Sequence, residues 1–216
     1  VGLTQTAMDA VDNGLRELDK REGYRGPIKT LTVQGVMDFL EQKSKDMEEP
    51  LKFGQITEGV VTQIDHDNIY VRMGSYIKGT TKKEYVGLIK IDPNPKWWCR
   101  KPFMRPEKRT RNFGVGDLPF QVGDLIDVRL VDPNIKRREL YVKKYGKTDP
   151  EMKNYKEYTE DMVTYFPLEP EQEPLVQAAL MMRENRSGYV RVLVGGHSGS
   201  SSEYNRATQS RRQAGS

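Results

Sequence analysis

Few residues in this 216-residue chain have the types and spacing that covalent chemistry requires. There is one cysteine, Cys99, and two histidines, His66 and His197. A single thiol closes no internal disulfide and founds no Cys-based zinc site. The histidines stand most of the chain apart, so their spacing defines neither a metal set nor a nucleophile–base pair, and no cofactor or metal is expected. His66 lies in Asp65-His66-Asp67-Asn68, which reads as a turn between two strands. Glu169, Glu171 and Glu173, interleaved with Pro170 and Gln172, read as a solvated charge run. The densest grouping is Lys96-Trp97-Trp98-Cys99-Arg100-Lys101-Pro102-Phe103-Met104-Arg105-Pro106, continued by Lys108-Arg109-Thr110-Arg111. Cations alternating with rings suit a single nucleic-acid strand: the cations track phosphates and each ring stacks on a base for roughly 1–3 kcal/mol. The structural alternative is that Trp97, Trp98 and Phe103 plug a barrel or pack against a neighbouring domain.

The elements that would carry these residues follow from periodicity. Leu3, Ala7, Val11, Leu15 and Leu18 recur at helical spacing, with Thr4 as a cap and Gly23-Tyr24-Arg25-Gly26-Pro27 as a stop. A second helix places Val33, Val36, Met37, Leu40 and Met47 on one face and ends before Glu48-Glu49-Pro50. From Phe53 the period changes to that of strands. Five are expected: Gly54–Ile64, Asn68–Gly74, Tyr85–Ile91, Asp124–Val131 and Glu139–Val142. Glycines inside these strands mark the sharp bends of a small closed sheet. The expectation is a mainly β chain with flanking helices (α+β), built on a five-stranded OB-like Greek-key barrel. Residues 146–174 read as a polar connector. Leu175–Met182 and Tyr189–Val194 then read as two strands joined by a turn at Arg183–Gly188, and a Gly/Ser-rich, basic tail follows His197.

Composition narrows the classes. Charged residues are 31% of the chain and the mean hydropathy is −0.76, so one continuous core over the whole length is not expected. No window approaches the ~18 apolar residues of a membrane span, and no charged-apolar-small leader opens the chain. Since it starts at Val1 without Met, the chain is read as a processed or excised piece. The 35 basic and 31 acidic residues leave a net charge of +4. That excess permits polyanion contact without arguing for it.

The two ends carry a sharper pattern. Gly195-Gly196 follows a strand, then come Tyr204-Asn205-Arg206-Ala207-Thr208-Gln209 and Arg212-Gln213-Ala214-Gly215-Ser216. This series resembles the approach to the active serine of class A penicillin-binding proteins, with Ala214 where that family usually has Pro. At the other end, Thr4, Ala7, Ala10-Val11, Gly14-Leu15, Asp19 and Arg21-Glu22-Gly23-Tyr24-Arg25-Gly26-Pro27 resemble the family's helix after its glycosyltransferase module. Between the ends, Trp97 followed by Arg100 and Pro102, and Gly123-Asp124 before a strand, resemble the OB-like insertion of the 1A type.

The resemblance implies a segment of a bifunctional peptidoglycan glycosyltransferase and transpeptidase. It assigns residues 1–29 to an inter-domain helix, 30–50 to a helix leading into the insertion, 51–170 to the OB-like insertion with its polar connector, and 171–216 to the start of the transpeptidase domain. Ser216 falls on the nucleophile, with Asn205, Arg206 and Gln209 on the active-site wall; the rest of that site would lie beyond this chain, which alone is expected to be inactive. Trp97, Trp98, Arg100 and Phe103 become candidate contacts for a partner. The implied partners are the remaining glycosyltransferase and transpeptidase domains, a lipoprotein activator, and the peptidoglycan peptide and β-lactams for the parent. The implied location is the bacterial periplasm, with the parent anchored in the inner membrane. The alternative reading is an S1/OB-type nucleic-acid-binding module.

Overall fold

The computed structural model describes residues 2–78, 81–94, 97–100, 117–134, 165–197 and 204–211. They fall into two compact units, one of residues 25–94 and 112–171, the other of 1–24, 95–111 and 172–216.

The first unit contains β1 (Lys29–Thr30), α2 (Val33–Asp46), β2 (Ile56–Ile64), β3 (Asn68–Lys78), β4 (Thr81–Lys90), β5 (Asp124–Leu130) and β6 (Phe166–Glu171). Strands β2, β3 and β4 form an antiparallel meander, β5 pairs with β2, and β6 joins β4 in parallel and β5 antiparallel. The ring β5-β2-β3-β4-β6 is therefore a closed five-stranded barrel of OB connectivity, with β1 added on β5. Period-two alternation points Ile69, Val71 and Met73 of β3 inward beside Tyr85 and Ile89 of β4, all essentially fully buried. Tyr85 lies at the centre of an aromatic series: it stacks on Tyr76 at 5.2 Å between centroids and meets Phe166 at 5.0 Å. Its hydroxyl accepts a bond from the Leu51 amide at 3.3 Å.

Two expectations need correction. Glu139–Val142, expected as the fifth strand, lies outside the described residues; the strand that closes the barrel is Phe166–Glu171, from the stretch read as a polar connector. Pro167 and Pro170 disguise it, because each lacks a ladder donor. The strand tolerates them because its first half pairs with β4 and its second with β5, so neither neighbour depends on an unbroken run. Glu171 is likewise not part of a solvated run. It is 2% exposed, and Arg129 Nε donates to its Oε1 at 2.8 Å.

The hairpin turn is as expected. Asp65 Oδ1 accepts from the amides of Asp67 (2.9 Å) and Asn68 (2.7 Å), and its Oδ2 accepts from the Tyr70 hydroxyl (2.9 Å). These bonds, led by that from the Asp67 amide, hold the Asp65 carboxyl below its ordinary value of 3.8. Helix α2 is capped by Thr32, whose hydroxyl accepts from the Gly35 amide, and packs on β3. Its packed face is rotated from the expected one. Val36, Phe39, Leu40 and Met47 are half-buried, whereas Val33 and Met37 are 77% and 59% exposed.

The second unit is built on α1 (Gly2–Glu22) and the antiparallel hairpin of β7 (Leu180–Arg183) and β8 (Val190–Val194). Ala7, Val11 and Leu15 of α1 bury against Val192 and Val194. Leu3 and Leu18 stay exposed, and Asp19 takes the next inward position instead. Gln172 Nε2 donates to its Oδ2 at 2.7 Å and the Leu175 amide to its Oδ1 at 3.2 Å. Residues 175–179, expected as the first part of a strand, are irregular, and Leu175 is exposed. Among the described residues no helix is long and apolar enough to cross a membrane.

Closure depends on a glycine. A Cβ on Gly87 would sit 2.4 Å from Leu168 Cδ1 and 2.8 Å from the Phe166 carbonyl oxygen, at the β4–β6 pairing. Gly87→Ala is expected to destabilise the chain by about 1–3 kcal/mol, read as a lower urea midpoint. A second prediction concerns pH. Because the folded Asp65 carboxyl titrates below its unfolded value, its stabilisation is complete above 3.8 and lost as pH falls through the folded value. The urea-midpoint gap between the natural chain and Asp65→Asn should be constant near neutrality and narrow in acid.

Candidate functional site

The residues expected near the active serine gather after β8. The chain leaves Val194 through Gly195, and the Arg206 amide donates to the Gly195 carbonyl at 2.9 Å. A Cβ on Gly195 would lie 2.7 Å from the Asn205 side chain and 2.9 Å from its Cα, so the approach requires glycine. Asn205 caps the helical turn α3 (Arg206–Gln209): its Oδ1 accepts from the Ala207 amide at 3.0 Å. In return the Asn205 amide donates to Gln209 Oε1 at 2.7 Å, while the Gln209 amide donates to the Asn205 carbonyl at 2.8 Å. This reciprocal arrangement is a capping box extended by one residue. The Arg206 guanidinium lies over the Tyr204 ring, 5.7 Å from its centroid. Asn205, Arg206 and Gln209 are thus brought together, and their polar atoms hold the turn in shape. Ser216 lies outside the described residues.

Spacing gives His197 no role, yet it is buried two residues after Gly195. Its Nδ1 lies 2.7 Å from Asp12 Oδ1, and its amide donates to Gln177 Oε1 at 3.3 Å. The bond pins the segment entering the turn to α1. Local sequence carries no signal for it, since the partner is 185 residues away.

The expected contact segment is placed differently from a displayed patch. Trp98 meets Tyr24 edge-on at 5.5 Å, and Lys20 Nζ sits 5.3 Å from the Trp98 ring centroid. The Tyr24 amide donates to the Trp98 carbonyl at 3.1 Å. Trp97 is half-buried, Cys99 is buried, and Arg100 is 1% exposed, so its guanidinium is not offered to the surface. Phe103, with the rest of 101–111, lies outside the described residues.

One further concavity lies on the barrel unit, a cleft of about 370 Å³ between α2 and the β3–β4 ribbon. Lys45, Arg72 and Lys82 give it a basic rim, Glu41 faces Lys45, and Ser44 and Ser75 contribute hydroxyls. Periodicity alone could not reveal it, because the rotation of α2 decides which residues face β3.

No family model matches the sequence. Penicillin-binding protein 1A of Pseudomonas aeruginosa is 28% identical over 214 residues, 99% of this chain and 20% of that protein. Penicillin-binding proteins 1A of Neisseria lactamica and Neisseria flavescens are each 53% identical over 45 residues, 21% of this chain and 6% of theirs. The crystal structure of penicillin-binding protein 1A from Haemophilus influenzae aligns over 95% of this chain and 22% of its own, at 19% identity and a TM-score of 0.46. The chain spans about a fifth or less of the length of the curated relatives it matches. The sequence relations support the class A penicillin-binding proteins, as the motifs at both ends implied. Within that class, the relatives it matches are of the 1A type.

Removing the cap tests the local geometry. Asn205→Ala is expected to cost the turn about 1 kcal/mol. Amide exchange at Ala207 and Gln209 should accelerate while the barrel amides keep their protection.

Proposed function

We propose that the chain is part of a bacterial cell-wall synthase that polymerises and cross-links peptidoglycan. The barrel unit acts as a regulatory and interaction module, and the hairpin and capped turn lead to the transpeptidase nucleophile at Ser216. The observation that carries this reading is the match to penicillin-binding protein 1A along 99% of the chain, with the serine-approach motif at its end.

A serine hydroxyl attacks an amide carbonyl only when a base takes its proton and donors receive the developing oxyanion. In this reading Ser216 attacks the carbonyl of the D-Ala-D-Ala peptide bond and expels the terminal D-Ala, or opens the amide bond of a β-lactam ring, and an acyl-enzyme results. The base is the lysine three residues beyond it in the family's Ser-x-x-Lys motif. Asn205 and Gln209 contribute by fixing the backbone of the preceding turn, and Gly195 by letting that turn approach β8. The partners are the remaining domains of the synthase and a lipoprotein activator; the setting is the periplasm, with the parent anchored in the inner membrane. A nucleic-acid role for the barrel is not favoured. Arg100 is buried and Trp98 is engaged by Tyr24 and Lys20, so neither is free to line a strand-binding groove.

Labelling with a fluorescent penicillin tests the assignment. The full protein encoded by the surrounding reading frame should acquire a covalent label that Ser216→Ala abolishes, with the barrel's urea midpoint unchanged. Absence of labelling in the natural protein, or labelling that survives the substitution, would overturn it.

A further inference from the structure

The cleft between α2 and the β3–β4 ribbon combines two kinds of polar group that one ligand class would satisfy together. Its volume of about 370 Å³ falls within the range of small-ligand pockets. Its rim is cationic. Lys45 is bonded to Glu41 at 2.7 Å, and that bond raises the lysine's pKa further above its ordinary value, so it remains charged. Arg72 reaches Glu84 with one nitrogen at 3.3 Å, leaving its other donors for the cleft. Lys82 is exposed and has no ion-pair partner among the described residues. Three cations therefore line the cleft, with Glu41 on its wall beside Lys45 and Glu84 beside Arg72, which leaves Lys82 as the cation without a carboxylate among the described residues.

The inner wall carries the opposite character. The Ser44 hydroxyl donates its only proton to the Leu40 carbonyl at 2.6 Å. Ser44 Oγ in turn accepts from the Ser75 amide at 3.1 Å. In the 2.9 Å contact between the two hydroxyls, Ser75 must therefore be the donor. Its proton spent, Ser75 Oγ offers the cleft only lone pairs. A bulge in β3 between Arg72 and Gly74 helps to set this up by re-registering the strand so that Ser75 stands opposite Glu84.

We propose that this cleft binds a short acidic peptide, whose carboxylates meet Lys82, Arg72 and Lys45 while a backbone N–H donates to Ser75 Oγ. A phosphate or a nucleic-acid backbone satisfies the rim but presents oxygen lone pairs to the lone pairs of Ser75. A neutral peptide satisfies Ser75 but leaves Lys82 without a counter-charge. A chain carrying both amide donors and carboxylates meets both demands. The charge contacts are solvent-exposed, so binding is weak and weakens with salt.

The test is fluorescence anisotropy of a fluorescein-labelled Gly-Glu-Gly-Glu-Gly peptide titrated with the 216-residue chain. Comparison probes are the same peptide with Gln in place of Glu and a single-stranded oligonucleotide, with inorganic phosphate as competitor. The expected result is saturable, salt-sensitive binding of the acidic peptide and far weaker binding of the Gln peptide. Lys82→Glu should weaken it about fivefold. Ser75→Ala, which leaves the Ser44 bond to Leu40 intact, should weaken it about threefold. Lys90→Glu, on β4 outside the cleft, should leave it unchanged. The proposal fails if binding is absent, if Lys82→Glu and Ser75→Ala bind as well as the natural chain, or if phosphate displaces the peptide. It also fails if the oligonucleotide binds more tightly than the peptide, which would assign the cleft to polyanions.

Discussion

The barrel depends on one close approach, that of β6 to β4 across Gly87. With no Cβ at that position, the Phe166 carbonyl and the Leu168 side chain come into contact with the β4 backbone, and the parallel pairing Gly87–Phe166, Leu88–Pro167, Ile89–Leu168 becomes possible. Without it the meander of β2, β3 and β4 would keep an open edge, and Phe166 would lose its place beside Tyr85. The same strand brings Glu171 to Arg129 on β5, so one pairing closes the sheet, completes the aromatic core and seats its buried carboxylate. Closure also removes the exposed edges by which small sheets aggregate.

Buried carboxylates and a buried histidine in the two units answer a common constraint, because an unpaired polar group out of water is costly. On the barrel, Asp124 accepts from the Thr30 hydroxyl and the Gln121 amide, which ties β1 and the turn before β5 together. In the other unit Asp19 answers Gln172 and Leu175, and His197 answers Asp12. These bonds orient segments that have little apolar surface of their own, including residues 195–197 after β8. The turn at Asn205–Gln209 is thus held by backbone geometry, with Gly195, Asn205 and Gln209 occupied by one another.

Helix α2 has a different relation to its neighbour. It contributes no fully buried side chain, yet its half-buried face spans β3 and meets it through the paired hydroxyls of Ser44 and Ser75. A helix resting on a sheet through polar contacts and lysine stems leaves a concave margin, and that margin is the cleft. Its shape follows from the rotation of α2 and the bulge in β3, and its charge from side chains on three separate elements.

What sequence alone determined is whatever depends on neighbours a few residues away. The periodicity of α1, the strands β2 to β5 and the Asp65 turn are all set by local spacing; the capped turn at Asn205–Gln209 falls in the stretch read as a basic tail and is not among them. Tertiary structure decided the rest. Pro167 and Pro170 argue locally against a strand, and only the gap between β4 and β5 makes one of residues 166–171. Glu171 reads as solvated until Arg129, 42 residues earlier, is placed beside it; Asp19 and Gln172 are 153 residues apart, and His197 and Asp12 are 185 apart. A hydrogen bond or a packed face is a relation between two positions in space, and at such separations the chain order of the residue types does not encode which pair will meet.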